Sequence, residues 1–327
     1  MSSSLPRHSP DAPRKHGVVL SGTGGVWRVR VAGVDGFSVH DAALRGRLKQ
    51  EGKAGLKLVV GDRVMLEEDP DGELWAITEI EPRVTQLARR EPGRRHGERI
   101  VVANVDQVVV VFAAANPEPH RRMLDRFLVI AEGNDLRARI VINKVDLADE
   151  PAVRERFADY VAAGYPVHFT SVRRNVGLSE LHDVLAGCTS ALSGPSGVGK
   201  SSLLNAMYPG LNLRVGAISE SVNKGRHTTV GSMLHPLPDD GYVADTPGLR
   251  EVGLWGLPPE HLDACFPEFR AYLDLCRFRD CSHQMEPGCA VRGALETGAV
   301  SAERYDSYVK LRGELEVTEQ LRSLHSR

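Results

Sequence analysis

The stretch Gly194-Pro195-Ser196-Gly197-Val198-Gly199-Lys200-Ser201 meets every fixed position of G-x-x-x-x-G-K-[S/T], and no other part of the chain narrows its surroundings as much. Such a loop works only between a strand and a helix. Its glycines let the backbone wrap a phosphate with N–H groups, and the helix N-terminus adds a partial positive charge. The apolar run Ala191-Leu192-Ser193 before it and the helical run from Ser202 to Met207 after it supply that context, which an ordinary glycine-rich turn lacks. The chain is therefore read as a nucleotide binder: the loop through Ser202 cradles the phosphates, Lys200 reaches the β- and γ-phosphates, and Ser201 ligates Mg²⁺.

A chain of 327 residues is too long for one comfortable core and points to two or three domains. Hydrophobic content of 42% and charged content of 26% belong to a globular protein in water, and no apolar run approaches the roughly 20 residues that span a bilayer. A formal charge of −2 gives no global pull toward nucleic acid, so such binding would come from local basic patches. Residues 1–16 are rich in Ser, Pro, Arg and His without an apolar core, which reads as a disordered tail rather than a signal peptide. Five cysteines, an odd number, argue for a reducing cytoplasm and against a disulfide framework.

Residues 17–82 show short alternating strands broken by glycine turns. Trp27, Val29 and Val31 fall on one face of a strand and Arg28 and Arg30 on the other, and further strands are expected over 36–40, 57–67 and 74–80, with Asp69-Pro70-Asp71-Gly72 as a hairpin turn. A small closed barrel of about five strands, such as the oligonucleotide-binding fold, would absorb these edges. Residues 83–99 follow as a basic connector with a Pro-Gly break, carrying Arg89, Arg90, Arg94 and Arg95. With Arg28 and Arg30 these are the candidate RNA contacts, because the guanidinium fork pairs with phosphate; Glu91 and Glu98 dilute the charge.

From residue 100 to 250 strands alternate with helices: a valine-rich strand over 105–113, helices over 121–132 and 151–163, and a strand over 166–171. This spacing means a doubly wound parallel sheet, whose ligands bind at the carboxyl ends of the strands. Asn143-Lys144-Val145-Asp146 falls at one such end and resembles the guanine-specificity motif of GTPases, in which the Asp accepts from the guanine N1–H and 2-amino group. Adenine has no such donor pair, so Asp146 would go unpaired against ATP. The stretch Phe169-Thr170-Ser171-Val172 sits where such proteins back the base pocket, which adds Ser171 to the binding set. Asp245-Thr246-Pro247-Gly248 ends another strand, with Asp245 toward Mg²⁺ and the Gly248 N–H toward the γ-phosphate. Between them Lys224-Gly225-Arg226-His227-Thr228-Thr229 resembles a first switch, with Thr229 or Thr228 completing the Mg²⁺ shell. Leu249 stands where the Ras type of GTPase has a water-orienting glutamine, so His227 is the candidate for that work and Arg226 for charge stabilisation; a purely structural switch histidine is the alternative. The base motif precedes the phosphate loop, the reverse of the ordinary order, so the domain is circularly permuted.

After residue 250 a helix is expected over 258–273, then Cys276-x4-Cys281-x-His283-x5-Cys289 gathers four soft ligands in one loop, suited to a closed structural Zn²⁺ site. Residues 302–324 carry an apolar stripe at helical spacing, read as packing. In their permuted order, these parts and Asp245-Thr246-Pro247-Gly248-Leu249-Arg250-Glu251 running into Gly253-Leu254-Trp255 resemble the circularly permuted GTPases of small ribosomal subunit biogenesis in bacteria. The resemblance covers nearly everything after the tail; Val230, where a third threonine is expected, departs from it. It implies an N-terminal oligonucleotide-binding barrel on rRNA (17–82), a basic linker (83–99), a central permuted phosphate-loop GTPase (100–250) and a mainly α zinc-binding domain (251–327). It also implies a cytoplasmic monomer that cycles between GTP and GDP, matures the small subunit near its decoding region, is activated by that subunit and has no membrane partner. Two rivals remain at this level: a GTPase switch with a non-ribosomal partner, and an RNA-binding zinc protein whose nucleotide site is regulatory.

Overall fold

The structure, a computed structural model, describes residues 14–34, 36–46, 48, 57–68, 74–90, 98–213, 232–245 and 257–325. Five strands, β1 (Lys15–Thr23), β2 (Val26–Gly33), β3 (Gly36–Leu44), β4 (Arg63–Glu67) and β5 (Trp75–Ile80), close a barrel in the order β1-β2-β3-β5-β4. Val19, Val29, Val31, Val64, Leu66 and Ile77 fill it at 1% exposure or less. The first strand begins at Lys15, so the last two residues of the segment read as tail are β-structure. The strand expected over 57–67 starts only at Arg63. Residues 57–62 before it form a turn in which Gly61, at φ +87°, passes within 2.2 Å of the Ala103 carbonyl measured from where a Cβ would stand. The expected hairpin turn at 69–72 lies outside the described residues.

The basic connector contains structure of its own. Strands β6 (Gln86–Arg90) and β7 (Glu98–Ala103) pair antiparallel, and Leu87 and Val102 share one core with Leu20 and Val60 of the barrel. Asp62, fully buried, accepts from Nε and Nη2 of Arg83 at 2.7 and 2.9 Å and from the Val59 N–H at 2.8 Å. Breaking such a buried pair from one side costs about 3–5 kcal/mol, so this joint is stiff.

The central sheet has six strands in the order β10-β9-β8-β11-β13-β12, where β8 is Gln107–Ala113, β9 Arg137–Asn143, β10 Val167–Phe169, β11 Thr189–Ser193, β12 Met233–Pro236 and β13 Tyr242–Asp245. All neighbours run parallel except β12 on β13. The apolar run of β8 has no polar phase because both faces are covered. Val108, Val110 and Phe112 pack toward α1 (Arg121–Glu132) and the C-terminal segment, whereas Val109 and Val111 pack toward α4 (Leu178–Leu185) and α5 (Lys200–Met207). The expected helix over 151–163 is two short ones, α2 (Glu150–Arg156) and α3 (Ala158–Ala162), broken at Phe157. Strand order reverses between β8 and β11, and the site forms at that switch point.

Residues 258–273 do not make the single expected helix. They run as 3-10 turns at Pro259–His261, Asp263–Cys265 and Pro267–Phe269 before one α turn, α6 (Arg270–Leu273). Pro259 and Pro267 lack the N–H that a continuous helix would need, and each restarts the chain at an N-terminal helical position. Helices α7 (Ala290–Glu296) and α8 (Ala302–His325) complete the C-terminal part. It is fastened to the sheet by Arg304, which is 1% exposed and donates to Asp125 of α1 at 2.6 Å and to both Glu268 oxygens at 2.7 and 3.1 Å. Burial alone would favour loss of its proton, but Glu268 and Asp125 outweigh that and raise its pKa.

Candidate nucleotide site and metal-ligand cluster

The phosphate loop leaves β11 at Gly194 and enters α5 at Lys200. Two of its glycines are required for different reasons. A Cβ at Gly194, where φ is +130°, would sit 2.0 Å from the Val111 carbonyl oxygen, whereas one at Gly199, where φ is +98°, would sit 2.5 Å from Asn143 Nδ2. Close packing on β8 fixes the first, and close approach of the base motif fixes the second. Lys200 is 5% exposed and its Nζ donates to the Gly194 and Pro195 carbonyls, both at 2.8 Å, so the ammonium is held over the loop. Ser201 is buried beside it.

The base motif is bonded directly to this loop. Asn143, at the end of β9, donates from Nδ2 to the Val198 carbonyl at 2.9 Å and accepts from the Thr170 hydroxyl at 3.1 Å. Lys144, in the left-handed region at φ +60°, donates to the Gly197 carbonyl at 2.7 Å and to the Asn116 carbonyl after β8. Val145 is buried, and its N–H donates to the Thr170 carbonyl at 3.2 Å. The Asp146 carboxylate accepts from the Ser171 hydroxyl at 2.5 Å, and that hydroxyl accepts from the Arg174 N–H at 3.1 Å. Asp245 ends β13 opposite Leu192, one strand from the loop. The structure thus brings Asn143, Lys144, Val145, Asp146, Ser171 and the run Gly194–Ser201 together around the carboxyl ends of β8, β9 and β11. Arg226, His227, Thr228, Thr229 and Gly248 lie outside the described residues.

The basic candidates divide. Arg28 is exposed on β2. Arg30, expected on the same open face, is 8% exposed: its guanidinium stacks 3.5 Å over Phe37 and 5.2 Å from Tyr242, with Asp240 at 3.8 Å. Tyr242 and Asp240 of the GTPase domain lie against it, so it makes an internal contact of the chain. Arg89 and Arg90 fall on β6, and Arg94 and Arg95 lie outside the described residues.

In the C-terminal part, one potential ligand atom each from Cys276, Cys281, His283 and Cys289 lies within 4.8 Å of the others. Three thiols and an imidazole form a set that a metal ion can occupy, with no open ligand position among them. The Cys276 sulfur accepts from the Ala290 N–H at 3.4 Å and the Cys289 sulfur from the Arg292 N–H at 3.5 Å, at the start of α7. Burial resists ionisation at Cys276, but the backbone N–H groups of Ala290 and Val291, with His283, outweigh it and hold the thiol below its ordinary value. At Cys281 burial is not outweighed, and with Cys289 alongside the thiol is pushed up to about 12. Glu286, which motif spacing does not reveal, ties the loop. It accepts from the N–H groups of Ser282, Gln284 and Met285, and despite burial the Ser282 hydroxyl and the N–H groups of Ser282, Glu286 and Met285 hold its carboxyl at about 2. Tyr305 and Tyr308 of α8 donate to the His283 and Ser282 carbonyls at 2.7 and 2.9 Å. Cys265 belongs to the core instead; burial and Glu132 raise it to about 12.

A doubly wound sheet whose base-recognition strand precedes its phosphate loop defines a circularly permuted phosphate-loop GTPase fold. Residues 80–255 match the sequence model of the RsgA GTPase family. Over 300 residues the chain is 63% identical to the small ribosomal subunit biogenesis GTPase RsgA of Gemmatimonas aurantiaca, spanning 91% of this chain and 97% of that one. It is 39% identical to the protein of the same name from Chlorobaculum tepidum, over 90% of this chain and 96% of that one. The crystal structure of YjeQ from Thermotoga maritima superposes with a TM-score of 0.76 at 36% identity, covering 93% and 99% of the two chains. The crystal structure of YloQ, a circularly permuted GTPase, gives a TM-score of 0.75 at 31% identity, covering 96% and 99%. The chain belongs to the RsgA GTPase family. No helix among the described residues is long and apolar enough to cross a membrane.

Proposed function

We propose that the protein is a GTP hydrolase that assists late assembly and maturation of the small ribosomal subunit, binds rRNA and is activated by that subunit. The observation that carries this reading is the direct bonding of the guanine motif to the phosphate loop, Asn143 to Val198 and Lys144 to Gly197, in a chain whose relatives are named for small-subunit biogenesis. Asp146, kept in place by Ser171, reads the guanine edge. Lys200 exchanges its loop carbonyls for the β- and γ-phosphate oxygens, and the loop N–H groups hold the rest of the phosphate chain. Ser201, Asp245 and Thr229 or Thr228 would hold Mg²⁺, which would supply charge neutralisation at the phosphates. His227 orients the attacking water in place of the missing glutamine, and Arg226 supports the developing charge.

The four-ligand cluster holds Zn²⁺ in a structural role, since three thiolates and one imidazole favour that ion and offer no reactive position. Exposed Arg28 on the barrel, Arg89 and Arg90 of β6, and Arg94 and Arg95 of the basic linker contact rRNA phosphates. The protein acts as a cytoplasmic monomer. The test is GTP hydrolysis by the wild type and Lys200→Ala, alone and with purified small or large subunits. Stimulation by small subunits only, lost in the variant, is expected. Equal turnover with and without small subunits overturns the ribosomal reading and leaves a GTPase with another partner.

A further inference from the structure

His283 has two ring nitrogens with separate surroundings. Nδ1 lies 3.6 Å from the Cys276 sulfur and 3.4 Å from the Cys289 sulfur, so it faces the ligand set. Nε2 lies 3.2 Å from Oδ2 of Asp263, and the residue is 2% exposed, which leaves little room for water to serve that nitrogen instead. Asp263 is 20 positions earlier in the chain, outside the loop that carries the ligands. Its Oδ2 meets the nitrogen that points away from the cluster, so it is not a fifth ligand.

We propose that Asp263 is a positioning residue of the metal centre, and that through it the centre helps fasten residues 257–273 against the GTPase domain; the proposal rests on the cluster holding a metal ion. A histidine that ligates through Nδ1 must carry its proton on Nε2. A carboxylate there fixes that tautomer, sets the ring angle and makes the ligating nitrogen more basic. Ring placement matters here because His283 is held at φ +60°, a left-handed backbone that its neighbours must maintain.

The other oxygen of Asp263 accepts from the Ala264 N–H at 2.7 Å, so one carboxylate both ties its own turn and orients a ligand 20 residues further on. That turn is gripped from the opposite side as well. Arg270 donates to the Ala264 carbonyl at 2.8 Å and to Glu132 of α1 at 2.7 Å, and Cys265 is buried in the core that α1 shares. Residues 257–273 therefore lie between the GTPase sheet and the ligand loop; the metal centre reaches them through His283–Asp263 from one side and through Cys276, whose sulfur donates to the Tyr272 carbonyl at 3.7 Å, from the other.

The test uses full-length wild type, Asp263→Asn, Asp263→Ala and Cys281→Ala. Zn²⁺ affinity is read by competition with a chromophoric chelator, and hydrogen exchange of residues 257–273 is read with and without the metal. Asp263→Ala should bind Zn²⁺ about 10- to 100-fold more weakly, with a smaller loss in Asp263→Asn, whose amide oxygen still accepts from Nε2–H. Removing Zn²⁺ from the wild type should raise exchange in 257–273. Unchanged affinity in a folded Asp263→Ala protein, or unchanged exchange in the wild type on metal removal, overturns the proposal while leaving the metal site intact. A wild type that binds Zn²⁺ no better than Cys281→Ala overturns both.

Discussion

The nucleotide site and the four-ligand cluster are built in contrasting ways. At the nucleotide site the positions are set by backbone: Gly194 fits only because it has no Cβ against Val111, and Asn143 and Lys144 bond to main-chain carbonyls of the loop they serve. The sheet beneath it is buried on both faces, so this geometry stands on hydrophobic packing. The cluster is a loop of side-chain donors steadied by Glu286, Tyr305, Tyr308 and Asp263, with Leu275, Phe278 and Met285 exposed around it. A preorganised site of the first kind survives loss of its ligand, while a site of the second kind depends on its ion for its shape.

Metal removal should therefore separate the two most strongly. Structural sites with this type of donor set carry about 10–16 kcal/mol of apparent binding in small peptides. Chelation should strip hydrogen-exchange protection from the ligand loop and α7 while the phosphate loop and α5 keep theirs. Equal protection of both regions without metal would erase the contrast.

A smaller effect is expected at the base motif. Asp146→Asn replaces an acceptor pair by one acceptor and one donor; losing one bond to a charged group, worth about 1.5–3 kcal/mol, and setting the new N–H against a guanine donor should weaken GTP binding by about 10²-fold or more. Xanthosine triphosphate, which offers an acceptor at C2, should bind the variant better than GTP does. Fluorescent-nucleotide titration checks both, and an unfolded variant is recognised by its lost thermal transition. Smaller again is Ser171→Ala, which removes the hydroxyl that orients Asp146. About tenfold weaker GTP with hydrolysis per bound molecule unchanged is expected, and a wild-type affinity would mean that Asp146 is positioned without it.

Much of the nucleotide site was legible because its constraints are local. A glycine at a fixed offset or an Asn-Lys pair at a strand end shows in the sequence whatever packs around it. What stayed hidden depends on distant neighbours. Alternation in β2 separates Arg28 and Arg30 from Val29 and Val31, but not which outer arginine a second domain will cover. The arginine-rich composition of 83–99 masks the buried Leu87 on the hairpin. Residues 258–273 have helical periodicity, yet Pro259 and Pro267 restart the backbone within it. Asp263 carries no motif, since its partner His283 stands 20 positions away, and Glu286 carries none because its partners are backbone N–H groups, which no residue pattern marks.

The Arg304 bridge has a consequence for the order in which the molecule can be completed. Asp125 is a buried carboxylate and Glu268 a half-buried residue whose side chain is largely covered; both are made well before residue 304 leaves the ribosome, and their cation arrives only with α8. Until then neither acid can be enclosed without an unpaired charge, which is among the most costly things to bury. The interface between α1 and the C-terminal turns therefore closes last, after the phosphate loop and base motif have been synthesised. A chain cut short before α8 keeps those motifs and lacks the residue that seals the core, so truncation should yield a species that degrades quickly.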